Sequence, residues 1–358
     1  MTARRQSRTV RVGRLTIGGN SPIPVQSMTN TDPRDREATL SQVRALVSAG
    51  CDVVRLAAPD TDAARIFSFL KEQGVTVPLV ADIHFDYKIA LEAVAAGADK
   101  IRINPGNIGS RDKVAEVVRA CRAAGVPIRI GVNGGSLERA ILAKYGAPTA
   151  EAIAESALRH AAILESLDFY DTVISVKSSD VKTVIEANRI LADRTDYPLH
   201  LGVTEAGGLK RGTVKGAIGI GTLLAEGIGD TVRVSLTANP VEEVAAAREI
   251  LSALGLDPHA GIDVISCPTC GRTKIDLIPL LAAFEKGLDA RGLRGKKLKV
   301  AFMGCAVNGP GEAREADLGI AGGDGEALLF RHGETVAKYP ADRIVDILLD
   351  EIEKTDPN

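Results

Sequence analysis

The sequence has no tryptophan, and its aromatic fraction is only 3% of 358 residues. Stacking platforms for bases are not expected, and the core must be built mainly from Ala, Val, Ile and Leu. Neither sign of charge is in excess, with 44 Lys and Arg against 46 Asp and Glu. That balance argues against a nucleic-acid footprint and against a polybasic membrane patch, so a charged ligand would be held by a local cluster. No apolar run reaches the roughly 18 residues needed to span a bilayer. The stretch from Thr2 to Arg11 is polar and basic without an apolar h-region, and a cytoplasmic location is expected. Five cysteines, an odd number in a long chain, make a disulfide framework a poor explanation.

Against these absences stands a regular alternation. Short β-branched runs begin near Pro24, Asp52, Pro78, Lys100, Ile128, Val173, Leu199 and Thr231, and Ala/Glu/Leu-rich stretches with helical spacing, such as Arg36–Ser48 and Ala150–Leu167, lie between them. Gly50, Gly74, Gly97 and Gly125 close helices just before the next strand. Asp-x-x-Arg recurs at Asp52/Arg55, Asp99/Arg102 and Asp230/Arg233. Eight strand-plus-helix units over about 250 residues fit a (β/α)8 TIM barrel better than an open doubly wound sheet, which remains the runner-up. No Gly-x-Gly-x-x-Gly follows the first strand, which lowers a dinucleotide fold further. The polar connection Gly255–His259 sets the boundary between a barrel domain, 1–255, and a smaller α+β domain, 256–358.

Two groups of residues carry chemistry. Polar residues at the C-terminal ends of barrel strands are where function is expected, and there the sequence puts Arg55, Arg102, Arg129, Lys177 and Arg233, with Asn104, Asn133, Thr204 and Ser235 nearby. Guanidinium forks from several strands suit a diphosphate, and the Gly-rich stretches after Asn104 and Asn133 add backbone donors. For any one Arg, an ion pair with a neighbouring acid is an equal explanation. Glu205 among these cations suits a proton donor or acceptor, or a salt bridge that orders them. Asp82, His84 and Asp86 form another polar run, weaker as a metal site than as a wall of the pocket. In the second domain, Cys267-Pro-Thr-Cys270 and Cys305 each follow a strand. Three thiolates suit soft metal chemistry; zinc would want a fourth Cys or His at conventional spacing. A four-iron cluster with one carboxylate or exchangeable position accounts for the count better, and three structural thiols is the plain alternative. Cys51 and Cys121 read as core.

Cys267-Pro-Thr-Cys270-Gly-Arg-Thr and Gly304-Cys305-Ala-Val-Asn-Gly-Pro-Gly-Glu-Ala resemble the cluster motifs of the 4-hydroxy-3-methylbut-2-enyl diphosphate synthases. Those are reductive enzymes of the methylerythritol phosphate route to isoprenoids. The likeness extends to Val25–Thr31, Ala81–Asp86, Arg102–Asn107 and His200–Gly207. It implies a [4Fe-4S] cluster on Cys267, Cys270, Cys305 and Glu312. Substrate contacts would come from Arg55, Arg102, Arg129, Lys177, Thr204, Arg233 and Ser235, with Glu205 and Asn308 catalytic. The implied reaction is reductive ring opening of 2-C-methyl-D-erythritol 2,4-cyclodiphosphate, with ferredoxin or flavodoxin as donor and the active site between the subunits of a homodimer. The rival readings are a barrel hydrolase or lyase with a structural zinc domain, and a non-catalytic redox-sensing module.

Overall fold

The computed structural model describes residues 3–305 and 314–355, which fall into two compact units, 1–257 and 258–358. The first opens with an antiparallel hairpin, β1 (Val10–Val12) and β2 (Leu15–Ile17). It turns at Gly13, whose φ of +53° is the left-handed region glycine tolerates. The eight expected strands follow: β3 (Gln26–Met28), β4 (Val53–Ala57), β5 (Leu79–Asp82), β6 (Lys100–Ile103), β7 (Ile128–Asn133), β8 (Thr172–Lys177), β9 (His200–Leu201) and β10 (Thr231–Val232). Strands β3 to β8 form one parallel sheet in sequence order, and β9 pairs parallel with β10. Parallel bridges Ile174–Leu199 and Val25–Val232 join the two pieces at both edges. The ring of strands is thereby closed, as a TIM barrel requires.

Helices α1 (Arg36–Ser48), α2 (Ile66–Glu72), α3 (Tyr87–Ala95), α4 (Arg111–Ala124), α5 (Arg139–Tyr145), α6 (Ala150–Glu165), α7 (Val181–Arg194), α8 (Leu209–Ala225) and α9 (Pro240–Ala253) alternate with the strands. Several start on a side-chain cap at the strand-to-helix turn: Asp35, Asp86, Thr149, Asp180 and Asn239 each accept from a backbone N–H of the first turn. Gly50, Gly74, Gly97 and Gly125 all have positive φ, as their place after helices required.

Period-2 alternation sorts the strand side chains. Ile101 and Ile103, Ile128 and Ile130, and Leu199 and Leu201 turn outward into the core shared with the helices. Their neighbours turn into the lumen. At the N-terminal end of the barrel, Val10, Val12 and Ile17 pack with the inward Val173 in a small core of their own. Arg4, Arg5 and Ser7 reach Asp230 at the head of β10. The N-terminal segment thus seals that end. The hairpin went unread in the sequence, because Arg8, Arg11 and Arg14 interrupt its apolar positions.

The second unit is a five-stranded sheet, β11 (Asp263–Ser266), β12 (Lys299–Met303), β13 (Leu318–Gly322), β14 (Glu326–Arg331) and β15 (Glu334–Pro340), in that order. The first three are parallel and the last two antiparallel. Helices α10 (Leu277–Arg291) and α11 (Ile344–Lys354) bury Phe284, Leu288, Leu348 and Ile352 against it.

Candidate active site

The barrel lumen is polar where most TIM barrels are filled with branched apolar side chains. Arg55, Arg102, Arg129, Lys177 and Arg233 all come from the strands or the residue just after one, and all turn inward. Lys100, two positions before Arg102 on the same strand, is inward as well and fully buried. Glycines make the room: a Cβ at Gly202 would lie 2.7 Å from Lys177 Nζ, and one at Gly131 would strike Arg102.

Two carboxylates answer these six cations. Asp82 on β5 accepts from Arg55 Nη2 at 2.6 Å and from Arg102 Nη1 at 3.2 Å, with His84 Nε2 at 3.3 Å. Burial opposes its charge, yet Arg55, His84 and Arg102 hold its carboxyl well below the usual carboxylate range. Glu243, on α9, grips Arg233 with both oxygens, at 3.1 and 3.2 Å, and also accepts from Ser27 Oγ and Leu236 N. Arg129 and Lys177 make no salt bridge among the described residues. Burial and the neighbouring cations push both well below their ordinary values. The same causes bring Arg55 down to about 10 and Lys100 to about 7. An arginine in a protein keeps its proton, so the imbalance remains as unmet positive charge. An anion is what this lumen is short of.

The equal odds given to structural ion pairs therefore divide. Arg55, Arg102 and Arg233 are paired, while Arg129 and Lys177 are not. Lys100 and Glu243 escaped the sequence reading. Lys100 was legible, since Lys-Ile-Arg-Ile alternates with period 2, but an acid arriving from a helix was not. The Asp-x-His-x-Asp run comes apart: Asp82 faces the lumen, His84 is exposed, and Asp86 caps α3 by accepting from Lys88 N at 2.9 Å. Thr204 and Ser235 are half-buried past the ends of β9 and β10. Glu205 is exposed and holds a left-handed backbone, φ +51°, a strain that non-glycine residues retain mostly where a site requires it.

In the second unit, Cys267 and Cys305 leave the same ends of two adjacent parallel strands, β11 and β12. Gly304 N–H points at Cys267 Sγ, 3.2 Å away. Thr269, between the first two thiols, has φ +63°. Hydrogen bonds and charge from Arg272 lower the Cys270 thiol. The Cys270 thiol is thereby biased toward thiolate, the form that binds iron. The donor set fits an iron–sulfur cluster in that respect. No three Cys, His, Asp or Glu side chains among the described residues are gathered closely enough to hold a metal ion. Asn308 and Glu312 lie outside the described residues. Cys51 and Cys121 are buried, and burial raises both thiols to about 12, as inert core.

Fold and site together define a barrel enzyme with an appended thiol-bearing sheet domain. The chain belongs to the GcpE family: residues 7–248 match the GcpE TIM-barrel domain and residues 263–354 the GcpE protein C-terminal domain. It is 57% identical over 350 residues to the 4-hydroxy-3-methylbut-2-en-1-yl diphosphate synthase (flavodoxin) of Clostridium perfringens, covering 98% of this chain and 99% of that one. The enzymes of the same name from Geobacillus thermodenitrificans and Symbiobacterium thermophilum are each 56% identical, over 98% and 99% of this chain and 92% and 94% of theirs. The chain is accordingly an oxidoreductase of isoprenoid synthesis. Among solved structures, a type I 3-dehydroquinate dehydratase from Clostridium difficile superposes with a TM-score of 0.51 at 16% identity, over 69% of this chain and 98% of that one. A 7,8-dihydropteroate synthase from Vibrio fischeri gives 0.50 at 13%, over 70% and 100%; both share the barrel alone. No helix among the described residues is long and apolar enough to cross a membrane.

Proposed function

We propose that the chain opens the ring of 2-C-methyl-D-erythritol 2,4-cyclodiphosphate reductively to (E)-4-hydroxy-3-methylbut-2-enyl diphosphate, consuming two electrons and releasing water. The observation that carries this reading is the acid-poor lumen, in which Arg129 and Lys177 have no carboxylate partner among the described residues. A cyclic diphosphate supplies the missing negative charge. Arg55 and Arg102, already ordered by Asp82, and Arg233, ordered by Glu243, present fixed donors to its oxygens. Thr204 and Ser235 at the rim bond its polar edge. Glu205, exposed at the mouth, moves the proton of the departing hydroxyl.

Cys267, Cys270, Cys305 and Glu312 would hold a [4Fe-4S] cluster, which when bound delivers electrons and offers a Lewis-acidic iron. Asn308, next in the same motif, donates a hydrogen bond to the substrate. Flavodoxin, which the relatives' name specifies, or ferredoxin is the electron source, and the working unit is a homodimer with the active site between subunits. The test is anaerobic reconstitution followed by turnover of the cyclodiphosphate with dithionite and a mediator. A brown protein that forms the linear diphosphate is expected. A colourless protein carrying zinc alone, or a loaded cluster without turnover, overturns the reading.

A further inference from the structure

His160 lies on α6, outside the lumen, and is 2% exposed. Its ring stands between the two glycine-rich stretches at the barrel mouth. On one side Gly106 N–H donates to Nδ1 at 3.0 Å. On the other, Nε2 stands 3.2 Å from Glu138 Oε1. Since Nδ1 accepts, the ring proton sits on Nε2 and is donated to the carboxylate. Glu138 also accepts from Ser156 Oγ at 2.6 Å, which fixes it to the same helix. A Cβ at residue 106 would lie 2.5 Å from the His160 ring, so a glycine is needed for this approach. Asn104 and Arg102, just before Gly106 in sequence, both latch onto Gly131 of β7, through Asn104 Oδ1 to its N–H and through Arg102 Nη2 to its carbonyl. The loops after β6 and β7 are therefore joined twice, once in the lumen by Gly131 and once behind it by His160.

We propose that His160 is a positioning residue, clasping Gly106 of one loop and Glu138 of the other so that both loops stand ready to bind a diphosphate group. This rests on the reading of the barrel mouth as a diphosphate site. The clasp works with a neutral ring, because a proton on Nδ1 would face the Gly106 N–H. The surroundings favour that state: burial lowers the ring's pKa, and Glu138 opposes it only in part. Other charges around α6 are engaged elsewhere. Glu155 pairs with Lys144 and Arg159, and Arg111, at the head of α4, reaches Ser166. The strands beneath, β7 and β8, turn Ile130, Val132, Ile174 and Val176 toward the helices, and α7 turns Val184, Ala187, Asn188 and Leu191 inward. The clasp is therefore intact at neutral pH and opens as acid protonates the ring.

Two substitutions separate its two bonds. The Oδ1 of Asn can stand where Nδ1 stands, so His160→Asn keeps the acceptor for Gly106 and loses Glu138. The Nε2 of Gln can stand where the ring's Nε2 stands, so His160→Gln keeps Glu138 and leaves Gly106 N–H without a partner. Inorganic pyrophosphate is titrated calorimetrically into the full-length wild type and both variants between about pH 5 and 8, with melting temperatures followed alongside. The expected result is wild-type affinity that falls on the acid side, His160→Asn within about threefold of wild type at neutral pH and without that acid-side loss, and His160→Gln weakened about tenfold or more. Equal affinities in all three proteins, whatever their melting temperatures, would show His160 to be structural and overturn the clasp while leaving the diphosphate site intact. Failure of the wild type to bind pyrophosphate would overturn the diphosphate site, and the clasp with it.

Discussion

Lys100 and Lys177 are two lysines in one lumen with different consequences. Lys100 is buried with no hydrogen-bond partner for its ammonium, and its pKa falls to about 7. A lysine whose pKa drops on folding costs stability at every pH below its unfolded value, near 10.4. The cost is full below about 7 and fades as pH rises from there toward 10.4. Lys100→Met is therefore expected to stabilise the protein by about 2 kcal/mol or more near pH 6 and by little near pH 10.5. Denaturant midpoints at the two pH values check it, and a variant weakened near pH 6 would refute it. Lys177 also lacks an acid among the described residues, but it stands higher, beside Gly202, where the proposed diphosphate would reach it. Lys177→Met should gain stability and lose at least tenfold in pyrophosphate affinity, an exchange of function for stability. Calorimetric titration and thermal melts, run on the same sample, read both halves.

At the scale of elements, the N-terminal segment hangs on Asp230. Its carboxylate takes Arg4 at 3.3 Å, Arg5 at 3.5 Å, Ser7 Oγ at 2.7 Å and Leu199 N at 2.8 Å while 2% exposed. Removing one partner of a buried pair leaves the others uncompensated, so Asp230→Ala should cost about 3–5 kcal/mol and lower the melting temperature by about 10 °C. A shift of a degree or two would mean that the segment is held by its apolar hairpin alone. The sequence made the eight strands readable, even β9 and β10 at two residues each, because β-branched runs and helix-closing glycines recur at a steady interval. The hairpin escaped because arginines interrupt its four apolar positions. In the site, the cations were legible from strand periodicity. Glu243 was hidden as one of two adjacent acids in the first turn of α9, where glutamates are ordinary. His160 meets Gly106 across 54 residues of sequence, a contact that local pattern does not encode.

For the whole molecule, the composition that looked neutral conceals a segregation: positive charge gathers inside the barrel and the acids are spent mostly on its outside. Helix α9 carries the chain back toward the N-terminal end of the barrel and ends at Ala253, and the second unit begins at Pro258. The homodimer proposed above, with its active site between subunits, is open to a complementation test. Mixed dimers of Glu205→Gln and Cys305→Ser subunits should recover up to about a quarter to a half of wild-type turnover, since each hybrid holds one intact barrel and one intact thiol domain in trans. Anaerobic assays of co-expressed, doubly tagged hybrids check this, and hybrids as inactive as the two parents would rule it out. The sealed N-terminal end has a consequence for traffic as well. With Val10, Val12 and Ile17 packed on Val173, apolar side chains close the N-terminal end of the barrel among the described residues, so an anion is expected to reach Arg129 and Lys177 from the C-terminal mouth. A ligand seated at that mouth would also slow proton exchange with Lys100, which lies fully buried among the lumen cations.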